Sequence, residues 1–209
     1  MTVTTTGTAE TNDTAASRTL GVVCVLTAVL AGILLGLWER AHPVFSGRGR
    51  FTLTPSSALQ LWTFGTLQAL KAAGFIAGLV GIYLSATHRG VFLRVVLSLA
   101  GVAGAFFAFT WIMIAITGRD DALYIAGRAV GSDARTNGGA MFLWLTPIVL
   151  GVATLRTKRI AVWKSLWLIA TGVIGSRLFG QFLPGTALVA EGALWSVVGY
   201  IAYAGGRSA

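Results

Sequence analysis

Residues able to do chemistry are scarce in this chain, which has seven Asp and Glu, two His and one Cys among 209 residues. Two ionisable residues fall inside long apolar runs. Lys71 stands near the middle of the run at about 58–85, and Glu191 lies more than a turn inside the run at about 187–205. A charge at that depth costs about 2.5–3.5 kcal/mol on insertion scales unless it is paired or hydrated. An ammonium and a carboxylate at similar depth offer two kinds of chemistry. They can act as polar handles for a small ligand, or the carboxyl group can give and retrieve a proton. The same pair can also tie two helices together with no further role.

Further candidates gather at one end of the expected bundle. Glu39 and Arg40 close the first apolar run, His42 precedes Pro43, and Asp120 and Asp121 follow the third run. Glu39 and His42 have the i, i+3 spacing of half a carboxylate–histidine metal motif. One such half does not make a site, and no metal is assigned. Gln68 shares the Lys71 face, and Trp111 and Trp195 are expected to sit deep enough to form apolar walls. The site predicted from these residues binds a ligand through Lys71, Glu191, Glu39, Asp120, Gln68, Trp111 and Trp195. If it is catalytic, Glu191 and Asp121 are its acid and base. No Walker loop, dinucleotide fingerprint, nucleophile elbow, HExxH or CxxC is present, and no cofactor is assigned. The single Cys24 excludes an internal disulfide.

Positioning these residues requires helices. Apolar segments at about 19–38, 58–85, 91–117, 140–155, 160–178 and 187–205 have near-spanning length. Their continuous apolar character lacks the alternation of a membrane barrel. Pro147 is expected to kink the fourth segment. Lys164 and Arg177 are expected to snorkel from the fifth. Glycines at 74, 78, 81, 101, 104, 172, 175, 192 and 199 mark expected packing seams. Residues 1–18 are Thr/Ala-rich without hydrophobic periodicity and are expected to form a disordered tail. Residues 19–206 then make one six-helix transmembrane domain.

Only 11% of the chain is charged and 55% is hydrophobic, against about 25% charged in an ordinary soluble domain. A soluble enzyme, a disulfide scaffold and a disordered protein are therefore excluded. The net charge of +9 is dispersed over helix ends rather than gathered into a stripe, so nucleic acid is not an expected partner. Arg156, Lys158, Arg159 and Lys164 cluster without an intervening acid, and short basic connections face the cytoplasm. The expectation is an all-α, polytopic membrane protein: a compact six-transmembrane-helix bundle in a bacterial inner membrane, both termini cytoplasmic. The leading functional reading is a polar intramembrane pocket that binds or moves a small lipophilic or amphiphilic molecule. The alternatives are an intramembrane acid/base enzyme on a lipid-like or isoprenoid substrate, and a non-catalytic subunit of a larger membrane complex. The expected partners are membrane lipid, a small lipophilic ligand and other membrane subunits.

Overall fold

A computed structural model describes residues 6–41, 45–46, 52–53, 58–86, 90–117, 138–158, 160–178 and 184–204. Six helical rods account for nearly all of them. The first rod is α1 (Thr6–Ala28), a π-helical turn (Val29–Leu34) and α2 (Leu35–Ala41). The others are α3 (Ala58–Ala86), α4 (Val91–Thr117), α5 (Gly138–Thr157), α6 (Val162–Leu178) and α7 (Pro184–Ala204). Between α2 and α3, β1 (Phe45–Ser46) and β2 (Thr52–Leu53) pair antiparallel, Phe45 opposite Leu53.

The rods form a ring. The first rod packs on α3 and α7, α3 on α4, α4 on α5, α5 on α6 and α6 on α7, with α3 touching α7 across the middle. Small residues set the close approaches. A Cβ on Gly192 of α7 would fall 2.7 Å from the Ala28 carbonyl oxygen and 2.7 Å from the Ile33 nitrogen. These are backbone atoms that cannot swing aside, so only glycine lets the π-turn and α7 cross here. A Cβ on Gly175 of α6 would collide with the Trp144 ring of α5. Gly101 departs from the expected seam: nothing lies within 4 Å of its would-be Cβ.

Hydroxyls reinforce some of the same approaches. Ser17 places its hydroxyl 2.9 Å from the Gly81 carbonyl oxygen and 2.8 Å from that of Ala202, linking α1, α3 and α7. Thr154 and Ser165 share a hydrogen bond of 2.8 Å between α5 and α6. The expectation of a tail over residues 1–18 is corrected from residue 6 onward, since α1 begins at Thr6. Composition concealed this because Ala and Thr give no apolar periodicity, whereas buried Ser17 docks by hydrogen bonds.

Apolar residues fill the middle and also cover the outside. The main core joins Phe75, Leu79 and Ile82 of α3 with Trp144, Leu150, Leu168, Trp195, Val198 and Ile201. A smaller cluster joins Leu35, Phe64 and Leu188, with Trp38, Leu67 and Trp111 against it. Leu26, Leu30, Leu34 and Leu37 of the first rod and Val95, Leu99, Val102 and Phe109 of α4 are exposed. Lys71, Glu191, Glu39, Gln68 and Thr171 are buried. Polar groups inside and a contiguous apolar exterior suit a non-aqueous surrounding. Three helical stretches, Asp13–Ala41, Trp62–Ser85 and Val91–Met113, are long and apolar enough to cross a membrane; Val162–Gly175 and Leu188–Ala204 are shorter apolar helices.

Candidate functional site

The face of α3 that carries Phe64, Gln68, Lys71 and Phe75 repeats at steps of four, three and four, so one helical side holds all four. On α7, Glu191 stands between Leu188 and Trp195 at the same helical spacing. The two helices run parallel: Phe64 clusters with Leu188, and Phe75 contacts the Trp195 ring. Lys71 and Glu191 therefore meet between the two apolar clusters. Lys71 Nζ donates to Glu191 Oε2 at 2.7 Å, and the two residues are 8% and 4% exposed. Lys71 is 13 residues from Ala58 and 15 from Ala86, about 20 Å from either end of α3. The π-turn brings Gly32 against Gly192, the residue after Glu191. Among the described residues, the backbone of the first rod departs from α-helical geometry beside this carboxylate alone. Such π-turns are frequent at functional sites.

Aromatic rings close one side. Phe107 of α4 has its centroid 6.0 Å from Lys71 Nζ, at the edge of the range for a cation–π attraction. Trp111, one turn along α4, meets Phe64 edge-on at 5.1 Å and Phe107 at 6.1 Å. Trp195 is buried one turn above Glu191, with its ring 5.0 Å from that of Trp144.

Gln68 lies one turn from Lys71, is 2% exposed, and its Oε1 has no hydrogen-bond partner among the described residues. A buried amide oxygen left without a donor costs about 1–3 kcal/mol. A water or a ligand hydroxyl or N–H would remove that cost. The arrangement thus offers a cation, a carboxylate and an acceptor uncommitted among the described residues beside an aromatic wall, at mid-length of α3.

The remaining predicted residues fall elsewhere. Glu39 is buried on α2, one turn past Leu35. Because Leu35 clusters with Leu188 and α2 runs antiparallel to α7, Glu39 sits about two turns, ~11 Å, along the axis from Glu191. It occupies a separate layer, with the Leu35–Phe64–Leu188 cluster between. Asp120, Asp121, His42 and His88 lie outside the described residues. Among those described, no three His, Cys, Asp or Glu side chains come together. Lys164, expected to snorkel, reaches the last turn of α7 at the end of the bundle. It is 9% exposed and donates to the Ala204 carbonyl oxygen at 3.1 Å, because the last turn of α7 leaves acceptors that a cation satisfies. Phe107 was not among the predicted site residues, and one Phe among many in an apolar run carries no signal that could have marked it. An open groove of about 340 Å³ lies away from the ion pair, along α4.

No known protein family, curated protein sequence or solved structure matches this chain.

Proposed function

We propose that this chain is a polytopic membrane protein whose six rods all cross the bilayer, and that it binds or moves a small lipophilic or amphiphilic molecule at Lys71 and Glu191. The observation that carries the reading is the mid-helix ion pair with, one turn away, a Gln68 carbonyl that has no partner among the described residues. A buried ion pair is a weak device for holding helices, since apolar residues of similar volume commonly do as well or better. A ligand with a hydroxyl or N–H would satisfy Gln68 and exchange contacts with the pair, while its apolar body lies against Phe107 and Trp111.

The deciding variant is the double Lys71→Met/Glu191→Met, which removes both charges together and is expected to keep the fold. Wild-type protein and double variant are extracted in mild detergent, and bound small molecules are read by native mass spectrometry. The expected result is an organic molecule on the wild type and none on the folded double variant. Identical small-molecule cargo on both, or none on either, overturns the proposal.

A further inference from the structure

Gln68 and Lys71 leave hydrogen-bonding capacity of opposite kinds in one place. They are three residues apart on α3, a spacing that puts two side chains on one face with Cβ atoms about 5–6 Å apart. Gln68 is 2% exposed, and its Oε1 accepts no hydrogen bond among the described residues. The Lys71 ammonium has three N–H donors. Among the described residues one is committed by a hydrogen bond, at 2.7 Å to Glu191 Oε2, and the Phe107 ring lies 6.0 Å away. An acceptor without a donor and a cation with donors to spare therefore stand one turn apart. A single atom that joins them must donate to the first and accept from the second.

Charge narrows the choice of that atom. Lys71 and Glu191 cancel each other, so the site is neutral within an apolar surround that includes Phe64, Phe75, Trp111 and Trp195. A carboxylate brought here adds an unpaired charge and meets Gln68 as a second acceptor. An ammonium donates to Gln68 but sets a second cation beside Lys71. Either ion must break the existing pair to be paired itself, and the charge left over is strongly unfavourable when buried. An ether oxygen accepts from Lys71 and leaves Gln68 unpaired. An uncharged O–H donates and accepts through one atom.

The apolar remainder of such a molecule has a way out. α3 packs on α4, where Phe107 and Trp111 are half-buried while Phe109 and Ile112 beside them are exposed. Phe107 and Trp111 thus connect the interior at Lys71 and Phe64 with the outer surface of α4.

We propose that the molecule held at Lys71 and Glu191 is an uncharged lipid alcohol. Its hydroxyl bridges Gln68 Oε1 and Lys71 Nζ, and its chain leaves along Phe107 and Trp111 between α3 and α4. The proposal deepens the ligand-binding reading above and rests on it. Single-chain alcohols and diacylglycerols share this chemistry.

The test presents the full chain in mild detergent with hexadecanol, dipalmitoylglycerol, hexadecyl methyl ether, hexadecanoate or hexadecylammonium, and reads adducts by native mass spectrometry. The wild type retains one of the two alcohols about tenfold better than the ether and both ions, and the alcohol retained identifies the source. Gln68→Leu, which removes the acceptor, lowers alcohol retention about tenfold, to the level of the ether. The double variant Lys71→Met/Glu191→Met retains no alcohol. Should Gln68→Leu not fold, the alcohol-to-ether ratio on the wild type decides. Equal retention of alcohol and ether overturns the proposal, as does alcohol retention that Gln68→Leu leaves unchanged. A preference for hexadecanoate or hexadecylammonium that the double variant abolishes overturns the alcohol while sparing Lys71 and Glu191 as a ligand site. Retention of no probe by the wild type also overturns it and leaves Gln68 to a water. Failure of the ligand reading itself is distinct: native cargo is then absent, or identical on the double variant.

Discussion

Lys71 and Glu191 are joined by one 2.7 Å hydrogen bond between α3 and α7, and the balance of charge terms around it gives separable expectations. Bringing both charges out of water costs several kcal/mol each, which their attraction roughly offsets. Removing one partner leaves the other buried and uncompensated. Lys71→Met and Glu191→Leu are therefore each expected to destabilise the protein by about 3–5 kcal/mol, while the double apolar variant lies much closer to wild type. Denaturant unfolding in detergent, followed by tryptophan fluorescence, measures all three. Additive losses in the double variant would show that the two residues do not interact. A ligand role makes a different demand: the folded double variant loses its cargo although its stability is recovered. Gln68 offers an independent check, since Gln68→Leu removes an acceptor that has no partner among the described residues. Its stability is expected to stay level or rise by about 1 kcal/mol, while retention of a hydroxyl- or N–H-bearing ligand falls.

Among the elements, glycines divide into those that set a helix crossing and those that do not. Gly192→Ala pushes a methyl group into backbone of the π-turn, and overpacking of this kind costs about 1–3 kcal/mol. Gly101→Ala meets open space and is expected to stabilise by about 0.5–1 kcal/mol through helix propensity alone. Thermal unfolding of the two variants should move in opposite directions, and equal losses would contradict the crossing geometry. Lys158 ends α5 at φ 51° with its amide on the Thr154 carbonyl oxygen at 3.0 Å. This is a left-handed cap that glycine adopts at no steric cost. Lys158→Gly is expected to gain about 0.5–1 kcal/mol. What the sequence made legible follows from the same physics. The apolar runs gave the six rods because long uncharged stretches leave few alternatives, and scarcity of charge singled out Lys71 and Glu191. The backward extension of α1 to Thr6 was hidden because Thr and Ala carry no period. The π-turn was hidden because Val-Leu-Ala-Gly-Ile-Leu reads as ordinary helix. The partner of Lys164 was hidden because a carbonyl 40 residues away has no signature in side-chain type.

At the scale of the whole molecule, the inside-out distribution of polarity and the ring of six rods make a claim about topology. Ser17 contacts Gly81 and Ala202, so the first half of α1, the end of α3 and the end of α7 lie at one end of the bundle. Six crossings, as proposed, would keep both termini on one side of a bilayer, and the short connection after α5 carries Arg156 and Lys158 to that same end of the bundle. Basic residues in short connections are retained in the cytoplasm. Reporter fusions at residue 1 and residue 209 are therefore expected to report the cytoplasm, and fusions in the 118–137 segment the opposite compartment. The apolar helix Leu188–Ala204 makes this a demanding test, because it is shorter than the three long stretches. At 17 residues it spans about 26 Å, slightly less than the ~30 Å hydrocarbon core. Extending it to the α7 start at Pro184 adds four residues and about 6 Å, which closes the difference and, if α7 crosses, would place Glu191 within the hydrocarbon. If α7 failed to cross, the C-terminal fusion would report the opposite compartment from the N-terminal one. Glu191 would then lie near water, and the 3–5 kcal/mol penalty for unpairing Lys71 would shrink toward the ~1 kcal/mol of an exposed pair. A reversed C-terminal fusion with a small Lys71 penalty would therefore point to α7, whereas a reversed fusion with the full penalty would point to α5 or α6.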